Sequence, residues 1–164
     1  MTEPRPPALL RAAEIRARES SHSHPWNPQS QLIGLRLSTA TGLQRTGVSL
    51  VRLLVRLPPG KESFVYHAHR FEEEWIYILS GRGIAEIDGA EYQVGAGDFM
   101  GFATPGVAHH LRNPFHEPLQ YLMGGENREF EIAEFPRLGK RMVRAGTEVT
   151  VYDAADGRPF GPLK

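Results

Sequence analysis

The chain has 164 residues with 19 basic and 19 acidic side chains, enough for one domain with a hydrophobic core and too few for two ordinary ones. Its balanced charge offers no basic footprint for a phosphate backbone or an anionic bilayer, so neither nucleic acid nor a membrane surface is an expected partner. The absence of cysteine excludes disulfides, thiolate metal sites and cysteine nucleophiles together, and leaves His, Asp and Glu as the strong metal ligands.

Residues 1–30 differ from the rest. Pro4, Pro6 and Pro7 precede a short helix expected over Ala8–Glu19, and Ser20–Ser30 is rich in Ser, His, Pro and Asn, the composition of an N-terminal arm. No apolar stretch here has signal-peptide length and none elsewhere approaches a membrane span, so a cytoplasmic location is expected. From Leu32 onward, short β-rich runs separated by Gly, Pro and Asp turns, with no helical period, predict an all-β sandwich or barrel over residues 31–164. Gly47–Leu57 sets Val51, Leu53, Val55 and Leu57 on one face and Arg52 and Arg56 on the other, a half-buried strand. Pro58-Pro59-Gly60 breaks it. Further strands are expected near Phe64–His69, Glu74–Leu79, Asp98–Ala103, His109–Asn113, Leu119–Met123 and Phe130–Phe135, in an order that reads as a meander closing on itself. Within Gly83–Val94, Asp88-Gly89 between two alternating runs marks a two-residue hairpin turn. Gly81-Arg82-Gly83 reads as a second hairpin turn, and the segment after Phe130 as a short C-terminal extension.

The chemistry gathers in His67-Ala68-His69-Arg70-Phe71-Glu72-Glu73-Glu74 and in Val107-Ala108-His109-His110. In extended chain, residues two apart share a face, so His67 and His69 can approach one ion together. An H-x-H pair alone is often two surface histidines, and Glu72–Glu74 alone a solvated charge run. Context raises the reading: the run ends at Glu74 and passes into Trp-Ile-Tyr-Ile-Leu-Ser-Gly81, a buried strand with a carboxylate at its start, and a buried carboxylate requires a partner. Alternation in the second segment puts His109, Leu111 and Asn113 on one face and His110 and Arg112 on the other, and the charged Arg112 assigns the inward face to His109.

These segments resemble the two motifs of the cupin superfamily, G-x5-H-x-H-x3,4-E-x6-G and G-x5-P-x-G-x2-H-x3-N. Gly60, His67, His69, Glu74 and Gly81 match the first, with six residues in place of five after Gly60. Gly97, Gly106, His109 and Asn113 match the second, although Thr104 stands where proline is expected, Pro105 follows it, and the segment after Gly97 is one residue longer. The resemblance covers roughly Gly47–Gly124. It implies a double-stranded β-helix, a jelly-roll-like barrel, holding one divalent ion (Mn, Fe, Ni, Co or Zn) through His67, His69, Glu74 and His109. Glu73 competes for the carboxylate role, but only Glu74 preserves six residues before Gly81.

Gly97–Asn113 and Tyr121–Glu126 further resemble single-domain bacterial cupins labelled sugar or sugar-phosphate isomerases. The implied activity is that of a metal-dependent enzyme on a small polar substrate such as a carbohydrate, with no catalytic base identified. An Fe(II)-type dioxygenase and a non-catalytic small-ligand binder are the alternatives. His22 and His24 receive no role because they fall in a polar tract without a nearby carboxylate. Arg52, Arg56 and Arg70 are candidates for a substrate phosphate or carboxylate, though pairing with Asp or Glu is the commoner fate of each. Trp75, Tyr77 and Leu79 alternate with Ile76 and Ile78, leaving a strand apolar on both faces, so the outer face is expected to be covered by the arm or by a second subunit of a homodimer.

Overall fold

The computed structural model describes residues 6–43, 45–49, 56–158 and 161. The alternating run at Val51, Leu53 and Val55, with Arg52, lies outside the described residues, as does the side chain of Arg56. Its last member, Leu57, is fully buried.

Helix α1 (Ala12–Ala17) is shorter than the expected Ala8–Glu19, and the Arg11 amide closes its first turn on Glu14 Oε2 at 2.6 Å. The polar segment after it is no loose arm. Strands β1 (Ser20–His24) and β2 (Asn27–Gly34) form an antiparallel hairpin, and the boundary expected at residue 30 falls inside β2. Ser30 pairs in parallel with Glu62, and Leu32 and Ile33 join the main core. Helix α2 (Leu37–Thr41) follows, in a region where no helical period was expected. It is five residues long, too short to register as a periodic pattern.

The remaining strands are β3 (Thr46–Ser49), β4 (Arg56–Leu57), β5 (Lys61–Glu62), β6 (Ala68–His69), β7 (Glu74–Ser80), β8 (Arg82–Ile87), β9 (Ala90–Gly95), β10 (Phe99–Phe102), β11 (His109–Asn113), β12 (Leu119–Glu126), β13 (Phe130–Phe135), β14 (Lys140–Ala145) and β15 (Glu148–Asp153). They are not a meander. One sheet runs β1-β2-β5-β11-β8-β9, a second β10-β7-β12-β3 with β4 also on β12, and a third β15-β14-β13-β6. Strands β7 and β8 are neighbours in sequence but belong to different sheets, so Gly81-Arg82-Gly83 carries the chain from one wall to the other and is not a hairpin turn. Ile76, Ile78, Met100, Phe102 and Tyr121 from the second sheet meet Ala85, Leu111 and Val94 from the first in one core. Two sheets of non-consecutive strands closing over a shared interior make the expected double-stranded β-helix.

The β8–β9 hairpin turns as expected at Asp88 and Gly89, with φ of 50° and 77°, the values a two-residue primed turn demands. Where β7 begins, β12 must lie very close to it. A Cβ on Gly124 would stand 2.5 Å from the Trp75 ring, and one on Gly125 would stand 2.4 Å from the Glu73 carbonyl. The Gly-Gly pair thus allows β12 to seat Glu74 at the barrel's edge. No helix among the described residues is long and apolar enough to cross a membrane.

Candidate metal centre

Backbone pairing assembles the four sequence-predicted ligands. His67 and His109 face each other through reciprocal main-chain hydrogen bonds, His67 N to His109 O at 3.2 Å and His109 N to His67 O at 2.8 Å. His69 lies two residues on, held on one side by Gly106 N donating to its carbonyl at 2.7 Å and on the other by register with Ala133 of β13. Glu74 opens β7 opposite Phe102 and Gly125. Its parity with the buried Ile76 and Ile78 turns it inward, while Glu73 is exposed and engages Glu126 through its backbone amide.

Glu74 Oε2 lies 3.2 Å from His69 Nε2, 3.5 Å from His109 Nε2 and 3.8 Å from His67 Nε2, and the Nε2 atoms of His67 and His69 are 3.2 Å apart. Ligand atoms each about 2.1 Å from one ion stand about 3.0 Å apart at right angles and about 3.4 Å apart at tetrahedral angles. The observed separations are of that size; His67, His69 and Glu74, whose ligand atoms all lie within 4.8 Å of one another, could hold a divalent ion, and His109 Nε2 lies within reach of the same Glu74 oxygen.

The rings are also presented in one sense. His67 Nδ1 faces the Val65 carbonyl at 2.8 Å and His109 Nδ1 the Val107 carbonyl at 3.0 Å. A neutral imidazole that donates from Nδ1 carries its lone pair on Nε2, so these rings point lone pairs at a carboxylate oxygen. Acceptors gathered this closely need positive charge among them. His109 Nε2 is buried without a hydrogen-bond partner, and the Phe102 ring stacks flat on the His109 ring, 3.5 Å between centroids.

Burial would raise the Glu74 pKa, but the His109, His67 and His69 rings gathered around its carboxylate hold it well below the usual carboxylate range. Burial pulls His67 down, with Glu74 opposing and His109 and His69 adding to the fall. For His69 burial is outweighed by Glu74 and then by the charges of Glu131 and Glu72, and its pKa rises. Tyr121 is fully buried, and burial followed by the charge of Glu74 pushes its phenol strongly up.

Several neighbours of the centre escaped the sequence reading. His24, assigned no role above, packs in the structure against Trp26, Phe64 and Phe135 with ring centroids 5.1, 5.2 and 6.1 Å away. Phe64 and Phe135 in turn border His67. His24 Nδ1 accepts the Trp26 amide at 3.2 Å, which puts the proton of the neutral ring on Nε2 and makes that atom a donor, not a base. Burial, then the nearby His67, lowers its pKa. Glu131 of β13 is fully buried, with Oε1 3.4 Å from His69 Nδ1. Arg70, a candidate for a substrate anion, is paired with Glu134 at 2.9 Å. His110 lies on the opposite face of β11 from His109, as alternation requires, but it is buried there beneath Tyr66, Glu86 and Arg137. Thr104-Pro105, the departure in the second motif, is a cis peptide.

Residues 53–125 match the family described as Cupin domain. A protein of Acidithiobacillus ferrooxidans, provisionally named a sugar phosphate isomerase, is 33% identical to this chain and superposes with a TM-score of 0.86 over 94% of this chain and 97% of that one. A protein named sugar phosphate isomerase from a cupin superfamily, from Silicibacter pomeroyi, shares the fold at 22% identity and a TM-score of 0.73, over 89% of this chain and 94% of that one. Among curated sequences, an uncharacterized protein of Methanocaldococcus jannaschii is 33% identical over 66 residues, 40% of this chain and 51% of that protein, so the chain spans about half the length of that relative. The barrel's match to the cupin family, joined to a relative alike along nearly its whole length, places the chain in the cupin superfamily.

Proposed function

We propose that this protein is a metal-dependent enzyme acting on a small polar substrate, in the class of sugar or sugar-phosphate isomerases, with one divalent ion held by His67, His69, Glu74 and His109. The observation that carries the reading is the convergence of three Nε2 atoms on one Glu74 oxygen, with two of the rings anchored at Nδ1 by carbonyls. The reaction class rests on the 33% identical protein of Acidithiobacillus ferrooxidans and the name it carries.

Mn, Fe(II), Ni, Co and Zn all accept two or three imidazoles with one carboxylate, and such an ion supplies polarisation of a substrate carbonyl or hydroxyl. The chain's own residues do the rest. Val65 and Val107 carbonyls hold two of the rings in the ligating tautomer. Trp26, Phe64 and Phe135 form an apolar wall beside His67, and His24 offers a Nε2–H donor from that wall.

The test begins with protein purified without added metal. Elemental analysis should find close to one divalent ion per chain, and absence of any ion together with no uptake on titration sinks the reading. The loaded protein is then offered aldoses, ketoses and their phosphates in D2O. Solvent deuterium at the carbon beside the carbonyl supports isomerisation, dioxygen consumption with small organic acids indicates an oxygenase, and saturable thermal stabilisation without turnover indicates a binder.

We also infer a homodimer. Trp75, Tyr77, Phe99 and Leu122 form an open apolar depression on the outside of the second sheet, with Tyr77 40% and Phe99 63% exposed. The N-terminal hairpin extends the other sheet, among the described residues Tyr77 and Phe99 stay exposed, and contiguous apolar patches mark association surfaces. Light scattering at micromolar concentration should give twice the chain mass, and Phe99→Glu should halve it. A monomeric wild type refutes the inference.

A further inference from the structure

We propose that Glu131 is the positioning residue of the centre: by accepting the Nδ1 proton of His69, it fixes that ring in the tautomer and orientation that aim Nε2 at Glu74. The proposal rests on the metal reading above but concerns a residue in the C-terminal sheet, beyond the stretch that matches the cupin family.

The three ligating imidazoles are anchored by unlike means. His67 and His109 each face the carbonyl of the residue two positions earlier, an acceptor that comes with the local chain. His69 has no such carbonyl. Its Nδ1 is buried without a hydrogen-bond partner, and the acceptor it faces is Glu131 Oε1 at 3.4 Å. Its other nitrogen is the one nearest Glu74. The ring therefore lies between two carboxylates, one on each nitrogen, and the one at Nδ1 decides which nitrogen keeps a lone pair for an ion.

Glu131 is itself held rigidly. It is fully buried, and its two oxygens accept the backbone amides of Arg70 at 2.9 Å and Phe71 at 3.1 Å. Those amides immediately follow His69 in sequence, so one carboxylate fixes both the ligand's ring and the chain that carries it. A buried carboxylate with two main-chain donors and room for one more is satisfied once His69 contributes its N–H. Residues Glu131, Ala133 and Phe135 share one face of β13. The same face therefore brings the anchoring carboxylate to His69 and an aromatic ring to His67.

A competing role exists. His69, Glu72 and Glu131 together form a second group whose ligand atoms lie within 4.8 Å of one another, which would make Glu131 a ligand. Arg144 pairs with Glu72, and the Arg128 amide reaches the same Glu72 oxygen at 2.6 Å. That group already contains a cation.

The test uses the full-length protein in three measurements. Long-range proton–nitrogen spectra of the metal-free wild type, recorded at a pH high enough for His69 to be neutral, should show it protonated on Nδ1; a neutral ring protonated on Nε2 overturns the proposal without touching the metal reading. In Glu131→Gln, shown to be folded by circular dichroism, the His69 tautomer should become mixed and chelator competition with Co(II) should give an affinity about 10- to 100-fold weaker, with shifted Co(II) absorption bands. Glu134→Gln, on the same strand but paired with Arg70 and Arg141, should change neither. A folded Glu131→Gln with wild-type affinity and bands overturns the proposal, as do two ions per chain of which the variant loses one. If Glu131→Gln fails to fold, the wild-type tautomer decides. If the wild type takes up no metal, the metal reading fails while the tautomer still tests the role of Glu131.

Discussion

His109 and His110 are neighbours on β11 that face opposite ways, and they are alike in burial and in an unpartnered ring nitrogen. They are 3% and 7% exposed. Each keeps one buried ring nitrogen without a hydrogen-bond partner, and each of those nitrogens faces a carboxylate, Glu74 at 3.5 Å and Glu86 at 3.7 Å. The difference lies in what else is gathered there. On the outer side Arg137 pairs with Glu86 and lays its guanidinium over Tyr66, 4.3 Å from the ring centroid. On the inner side the other groups are two more imidazoles. The outer cluster carries its own cation; the inner one gathers three imidazoles around one carboxylate, and in the proposed function a bound ion supplies its positive charge. Burial and an unsatisfied nitrogen do not by themselves distinguish an ion-binding histidine from a structural one. The local charge balance does.

The comparison breaks most decisively at the histidines themselves. His109→Ala should lose metal affinity by orders of magnitude, whereas His110→Ala should keep close to one ion per chain by elemental analysis. The reverse result would put the metal on the outer face.

A smaller effect is expected from removing the outer cation. Arg137→Ala leaves the buried Glu86 without its guanidinium and should cost about 1–3 kcal/mol in urea unfolding, with metal content unchanged. A loss of metal would mean that the two faces are coupled.

The smallest effect is in the acid dependence of stability, measured with chelator present. Burial lowers the His110 pKa, with Glu62 and Glu86 opposing and Arg137 and Arg112 adding to the fall. The unfolded imidazole then takes up its proton near pH 6.5, before the folded one does, so acid favours unfolding from about pH 6.5 down to the lower folded value. His110→Gln should flatten that part of the melting profile by a few degrees. An unchanged slope would mean that folding does not lower the His110 pKa.

Sequence pattern exposed the inner cluster because its signal is local: H-x-H in extended chain, a carboxylate at the head of an apolar strand, and a second histidine whose neighbour alternation sends outward. The β8–β9 hairpin was legible for the same reason, since Asp88-Gly89 states its own backbone angles. What failed depends on partners distant in the chain. Ser20–Gly34 lacks an apolar alternation because β1 lies at a sheet edge and β2 joins the barrel through one pairing, Ser30 with Glu62. The meander reading failed because nothing in β7 states that it pairs with β12 and not with β8. In Phe130-Glu131-Ile132-Ala133-Glu134-Phe135 the sequence reading placed a strand but did not single out Glu131. The structure buries Glu131 completely and leaves Phe130 47% exposed, since the carboxylate's donors are backbone amides sixty residues earlier.

The flat stack of Phe102 on His109 bears on time as well as on position. An imidazole pressed on its face by a phenyl ring and held at Nδ1 by the Val107 carbonyl has little room to turn, so an ion bound as proposed would meet a preorganised ring and cost little conformational entropy on capture. Loading should then proceed at the pace at which the incoming ion sheds its water. In stopped-flow mixing, metals would rank by their own exchange rates, and Phe102→Ala would add a slower phase common to all of them, the signature of a ring that must first find its place.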